Sequence, residues 1–160
     1  MAGSTNQGNS YGRLKKSLGQ HFLHDENICR KITGALTLGP HLNLLEVGPG
    51  GGALTKYLLP LESVNYKAIE IDEEKVGFLE KTYPAIQGRI ILQDILKAEM
   101  PFTDTFSVIG NFPYNISTQI LFKILEWREN VPVVIGMFQK EVADRAAADP
   151  DSKTYGVLSA

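Results

Sequence analysis

An α/β fold, with a mainly parallel central sheet and helices on both faces, follows from three features of the sequence. Short apolar runs alternate with amphipathic segments along the chain, the pattern of repeated strand–helix–strand units. The first clear strand runs directly into a glycine cluster, Gly48-Pro49-Gly50-Gly51-Gly52, which permits a tight turn into a helix. At 160 residues, 43% of them apolar, the chain is long enough for one domain with a packed core.

Residues 25–37 place Ile28, Ile32, Ala35 and Leu36 at helical spacing behind the acidic start Asp25-Glu26. Asn43 to Val47 reads as the first strand. After the glycines, Leu54, Tyr57, Leu58 and Leu59 mark a helix that stops at Pro60. Tyr66 to Ile71 is the second strand, and Asp72 is a suitable N-cap for a helix through Lys81, with Glu73 and Glu74 in its first turn. Arg89 to Gln93 and Phe106 to Gly110 are the third and fourth strands. Ser117 or Thr118 opens a helix carrying Ile120, Leu121, Ile124 and Leu125. Pro132 to Phe138 is a fifth strand, Glu141 to Ala148 a helix, and Gly156 to Ala160 the start of another apolar strand. Ending there, the chain reads as truncated before the last strands of its sheet.

Composition narrows the possible roles. Charged residues make up 21% and the net charge is −2, which excludes a disordered or fibrous chain. No apolar run is long enough to span a membrane, and residues 1–12 form a polar, flexible tail without signal-peptide character. The lone Cys29 cannot make an internal disulfide, which points to a reducing cytoplasm. Residues 1–40 carry five basic and two acidic side chains, whereas the rest carries eleven basic and sixteen acidic. A basic edge on an acidic body suits either a polyanionic partner or a merely solvated arm.

Ligands of open α/β sheets bind beyond the carboxyl ends of the strands. Four strands end in suggestive residues here. Gly48 begins a loop that lets a ligand approach the backbone, although the third glycine departs from the dinucleotide-binding pattern. Glu70 ends the second strand, where an acid accepts hydrogen bonds from ribose hydroxyls; Asp72 is placed to cap the next helix, leaving Glu70 freer for a ligand. Asp94 follows the third strand and can accept from an adenine amine, or serve as a turn aspartate. The fourth strand runs into Asn111-Phe112-Pro113-Tyr114. A nucleobase amine is a poor nucleophile because its lone pair is delocalised. The Asn111 side-chain carbonyl and the Phe112 backbone carbonyl can hold such an amine and favour a pyramidal nitrogen. Pro113 stiffens the backbone and donates no competing N–H, and Tyr114 offers a stacking face to an extruded base.

The sequence resembles the ribosomal RNA adenine dimethyltransferases, most closely their bacterial small-subunit (16S) branch. The resemblance rests on Gln20-His21-Phe22-Leu23, Glu46-Val47-Gly48-Pro49-Gly50, Ala68-Ile69-Glu70-Ile71-Asp72, Gln93-Asp94, Asn111 to Ser117, Phe138 to Arg145 and Ser152 to Gly156, and covers residues 13–160. It implies a Rossmann-like class I methyltransferase domain over 13–160, with S-adenosylmethionine as methyl donor and no metal. By position, His21 and Leu23 lie over the donor and Gly48 approaches its methionine portion. Glu70 takes the ribose hydroxyls and Asp94 the adenine amine. Asn111 lies between the donor and the target amine, with Pro113 and Tyr114 completing the catalytic segment. The family's helical C-terminal domain is absent from this chain. The implied partner is 16S rRNA in a small-subunit precursor, the implied products are dimethyladenosines at two adjacent adenines near its 3′ end, and the full-length form is expected to be a cytoplasmic monomer. Rival readings are a 23S rRNA adenine methyltransferase conferring antibiotic resistance, a nicotinamide-dependent oxidoreductase using the glycine loop and Glu70, and a non-catalytic RNA-binding assembly factor.

Overall fold

The computed structural model describes residues 26–36, 42–112, 115–138 and 158–159. The chain runs α1 (Glu26–Gly34), β1 (Leu42–Val47), α2 (Thr55–Leu58), β2 (Val64–Glu70), α3 (Glu73–Thr82), β3 (Ile90–Leu92), β4 (Ser107–Asn111), α4 (Ser117–Glu126), β5 (Val134–Phe138) and β6 (Leu158–Ser159). Short 3-10 turns at Pro84–Ile86 and Ile95–Lys97 flank β3. The six strands form one sheet in the order β3-β2-β1-β4-β5-β6, with every neighbouring pair parallel.

Alternation along the strands divides the core into two. Leu45, Val47, Ile69 and Val108 face one layer, where Phe106 packs with Ile120, Ile124 and Trp127 of the α4 region. Leu44, Tyr66, Ala68 and Ile109 face the other, against Cys29 and Ile32 of α1, Leu54 and Leu58 around α2, and Leu79 of α3. Strands covered on both faces require nearly continuous apolar runs, which is why β1 and β4 read so clearly in the sequence. Among the described residues no helix is long and apolar enough to cross a membrane.

The expected elements are present, with shifted ends. The segment from Leu54 to Leu59 holds only one helical turn, Thr55–Leu58, because glycines on one side and Pro60 on the other leave no more room. The fifth strand begins at Val134 rather than Pro132, since proline has no N–H for a ladder. Ile71 falls outside β2, in a bend. The expected helix at 141–148 and the tail at 1–12 lie outside the described residues.

Asp72 caps α3 as its position suggested: its Oδ1 accepts from the backbone N–H groups of Glu74 at 2.9 Å and Lys75 at 3.4 Å. Asp72→Ala is expected to cost about 1 kcal/mol, read as a lowered urea midpoint at unchanged slope; an unaltered midpoint would show that the cap contributes nothing.

Candidate functional site

Strand order reverses between β1 and β4, which lie side by side although β2 and β3 separate them in sequence. In open α/β sheets the carboxyl ends of the strands at such a reversal are where ligands are taken. Gly48 follows β1 and Asn111 ends β4, so the two stand at the carboxyl ends of the neighbouring strands.

Gly48 is exposed and has φ 65°, a left-handed conformation that turns the chain sharply out of β1. Its N–H still donates to Ile69 O at 2.9 Å, so the turn begins tied to β2. Two residues on, the Gly50 N–H donates to Glu70 Oε1 at 3.1 Å, while Glu70 Oε2 accepts from the Asp72 N–H at 3.1 Å. Glu70, only 5% exposed, therefore clamps the glycine loop to the start of α3. The sequence suggested a carboxylate free for a ligand, but both oxygens already hold backbone amides. Each oxygen has a second lone pair, so a ligand hydroxyl can still be accepted.

Beneath the loop lies a carboxyl that the sequence analysis gave no role. Glu46 in β1 is 1% exposed, and its Oε1 accepts from Thr55 Oγ1 at 2.7 Å and Tyr66 OH at 2.6 Å. Thr55 is the first residue of the helix that follows the glycines, so the cluster joins β1, β2 and the far end of the loop. Burial pushes the Glu46 carboxyl up to about 7; the hydrogen bonds from Thr55 and Tyr66 oppose this and the nearby Glu70 adds to it. Burial, and then the adjacent Glu46, likewise push the Tyr66 hydroxyl far up. The signal for Glu46 was present: an acid inside the apolar run Leu44-Leu45-Glu46-Val47 needs buried partners.

Asp94 follows β3 and is half-buried; its Oδ1 accepts from the Leu96 N–H at 2.9 Å, capping the 3-10 turn. The turn reading of this residue is realised. Asp94 lies two residues past Leu92, the register partner of Glu70, so the two acids share a strand-end edge. Two aliphatic side chains stand exposed at this edge, Ile71 at 66% and Leu92 at 50%. Asn111 ends β4 opposite Met137, half-buried, and Phe112 follows it, buried, with its N–H donating to Met137 O at 3.3 Å. The structure thus brings Gly48, Glu70, Asp94 and Asn111 to one edge of the sheet. His21, Leu23, Pro113 and Tyr114 lie outside the described residues.

A family described as ribosomal RNA adenine dimethylase matches residues 12–160 of this chain. The ribosomal RNA small subunit methyltransferase A of Cytophaga hutchinsonii is 51% identical over 150 residues, covering 92% of this chain and 58% of that protein. Its counterpart from Flavobacterium johnsoniae is 50% identical over 150 residues, covering 92% and 57%. The chain therefore spans little more than half the length of these relatives. Among solved structures, the 23S rRNA methyltransferase ErmE aligns with a TM-score of 0.67 at 29% identity, over 76% of this chain and 49% of its own. A dimethyladenosine transferase from Plasmodium falciparum aligns at 0.64 and 30% identity, over 78% and 46%.

The buried Glu46 makes stability depend on pH in a definite direction. Its folded-state pKa is raised from 4.5 to about 7, so between those values the native protein keeps a proton that the unfolded chain releases. Its effect on stability is thus unfavourable as pH rises through that window and constant above it, a loss of about 3 kcal/mol in total. Glu46→Gln stays neutral and keeps an acceptor for Thr55 and Tyr66. The difference in unfolding free energy between parent and variant is expected to swing toward the variant by this amount from pH 4.5 to 8; a difference independent of pH would refute the buried-acid account.

Proposed function

The chain belongs to the ribosomal RNA adenine dimethylase family, and from that membership we propose that the protein transfers methyl groups from S-adenosylmethionine to the N6 amines of two adjacent adenines near the 3′ end of 16S rRNA. The observation that carries this reading is the placement of Gly48, Glu70, Asp94 and Asn111 along the carboxyl edge of the sheet, on both sides of the strand-order switch.

The residues present suit S-adenosylmethionine. Exposed Gly48 gives the methionine portion close access to backbone, and Glu70, already fixed by two amides, offers its remaining lone pairs to the ribose hydroxyls. The exposed Ile71 and Leu92 provide apolar surface for a purine at the edge where Asp94 can accept from its amine. His21 and Leu23 would cover the donor. When bound, the donor supplies an electrophilic methyl group on a positively charged sulfur, so the protein's task is placement of the nucleophile. Asn111 and the Phe112 carbonyl would accept the two N–H groups of the target amine, turning its lone pair toward the methyl carbon. Pro113 would hold this segment stiff, and Tyr114 would stack on the extruded base. The amine loses its proton to water after transfer.

The 16S substrate is favoured over 23S rRNA by identity. About half of the aligned residues match the small-subunit enzymes, against 29% for ErmE, whose shared fold carries no substrate information. Mapping dimethyladenosines on small and large subunits incubated with the protein decides between them: modification confined to the large subunit would overturn the 16S reading.

Two substitutions separate the donor site from the base site. Glu70→Ala removes charge-assisted hydrogen bonds and frees the Gly50 loop, so donor affinity by calorimetry is expected to weaken by about 1.5–3 kcal/mol. Tyr114→Ala is expected to leave donor affinity within twofold while methylation of unmodified small subunits drops by tenfold or more; normal turnover would remove the stacking role.

A further inference from the structure

Gly136 lies in the interior of β5, and its register partner on β4 is Gly110. Neither has a positive φ, so backbone conformation does not explain them. Glycine inside a strand weakens it, which asks for another reason. The reasons are a carbonyl oxygen of the neighbouring strand and, close to both residues, the ring of Phe112. A Cβ on Gly110 would stand 2.7 Å from the Val47 carbonyl oxygen, and 3.3 and 3.4 Å from the ring Cζ and Cε1. One on Gly136 would stand 2.4 and 2.9 Å from Cε2 and Cδ2, and 2.3 Å from the Gly110 carbonyl oxygen. Carbon atoms in contact keep ~3.5–4.0 Å, so even a methyl group at 136 is incompatible with the ring where it lies. The two glycines form a floor bare of side chains, with the buried Phe112 ring seated on it and joined to the core beneath α4.

We infer that Gly136 is a positioning residue for methyl transfer: by leaving the floor open it seats the Phe112 ring, and the seated ring fixes the aim of the Asn111 amide and the Phe112 carbonyl. This inference rests on the function proposed above, in which those two acceptors hold the target amine. The ring and the carbonyl belong to one residue, so a ring lifted from the floor carries its backbone with it. A misplacement of about 1 Å at a reacting group can cost roughly a hundredfold in rate. The donor contacts of β1, β2 and β3 lie across β4 from this floor and are spared.

The test uses the protein with its full native sequence, comparing donor affinity by calorimetry with single-turnover methylation of unmodified small subunits. Gly136→Ala is expected to lower the rate at least tenfold while donor affinity stays within threefold. Adding Phe112→Leu, which removes the ring Cε2 that faces position 136 while leaving the Gly110 carbonyl in place, is expected to restore at least threefold of that loss, although Phe112→Leu alone is slower than the parent. A double variant no faster than Gly136→Ala would overturn the inference, because Gly136 would then serve only the packing of β4 against β5. Should Gly136→Ala not fold, Phe112→Ala decides: a rate at least tenfold down with intact donor affinity supports the seated ring, and a parental rate overturns it. A parent protein that binds no donor and methylates neither subunit would instead overturn the proposed function itself.

Discussion

The pairing of β1 with both β2 and β4 is the constraint on which the rest of the molecule depends. A parallel neighbour on each side obliges the chain to leave β1 in one direction, build β2 and β3, and return across the sheet to β4. The return puts the reversal of strand order between β1 and β4. It also puts β1 between helical layers, so every side chain from Leu44 to Val47 must be buried. An acid in that stretch has no route to water, and Glu46 instead finds two hydroxyl donors from elements that the same topology places beside it.

The site is held largely through backbone. Glu70 grips Gly50 and Asp72 by their amides, and Asp94 grips Leu96. Phe112 is held by its amide and by its ring on the glycine floor. Carboxylates that a donor would approach are thus oriented in advance by the loops they brace, which lowers the ordering cost of binding. Glu46 and Glu70 also lie close enough to raise the former's affinity for its proton, so the support beneath the loop and the clamp at its side are electrostatically joined.

Much of this was legible in the sequence because the relevant signals are local. Apolar runs mark each described strand, Asp72 announces its own cap, and Gly48, Glu70, Asp94 and Asn111 stand out by their place at strand ends. What escaped depended on register and distance along the chain. Glu46 could be seen as an anomalous acid, but its partners Thr55 and Tyr66 are assigned only once β2 lies beside β1. The second duty of Glu70, as a clamp on Gly50, follows from a loop conformation that composition does not specify. Gly136 offered no signal, since its meaning comes from a residue on the neighbouring strand.

The order in which the sheet's partners emerge matters during synthesis. Leu42 of β1 meets Val64 of β2 after a short stretch of chain, whereas Leu44 waits for Ser107, sixty-three residues later. On a ribosome adding roughly 5–20 residues per second, one edge of this central strand stays unpaired for several seconds after the other has closed. Such an edge is a template for another nascent chain. The same topology that reverses the strand order therefore makes the growing polypeptide most prone to aggregate before β4 arrives, and a slow non-local pairing is the step that ends the exposure.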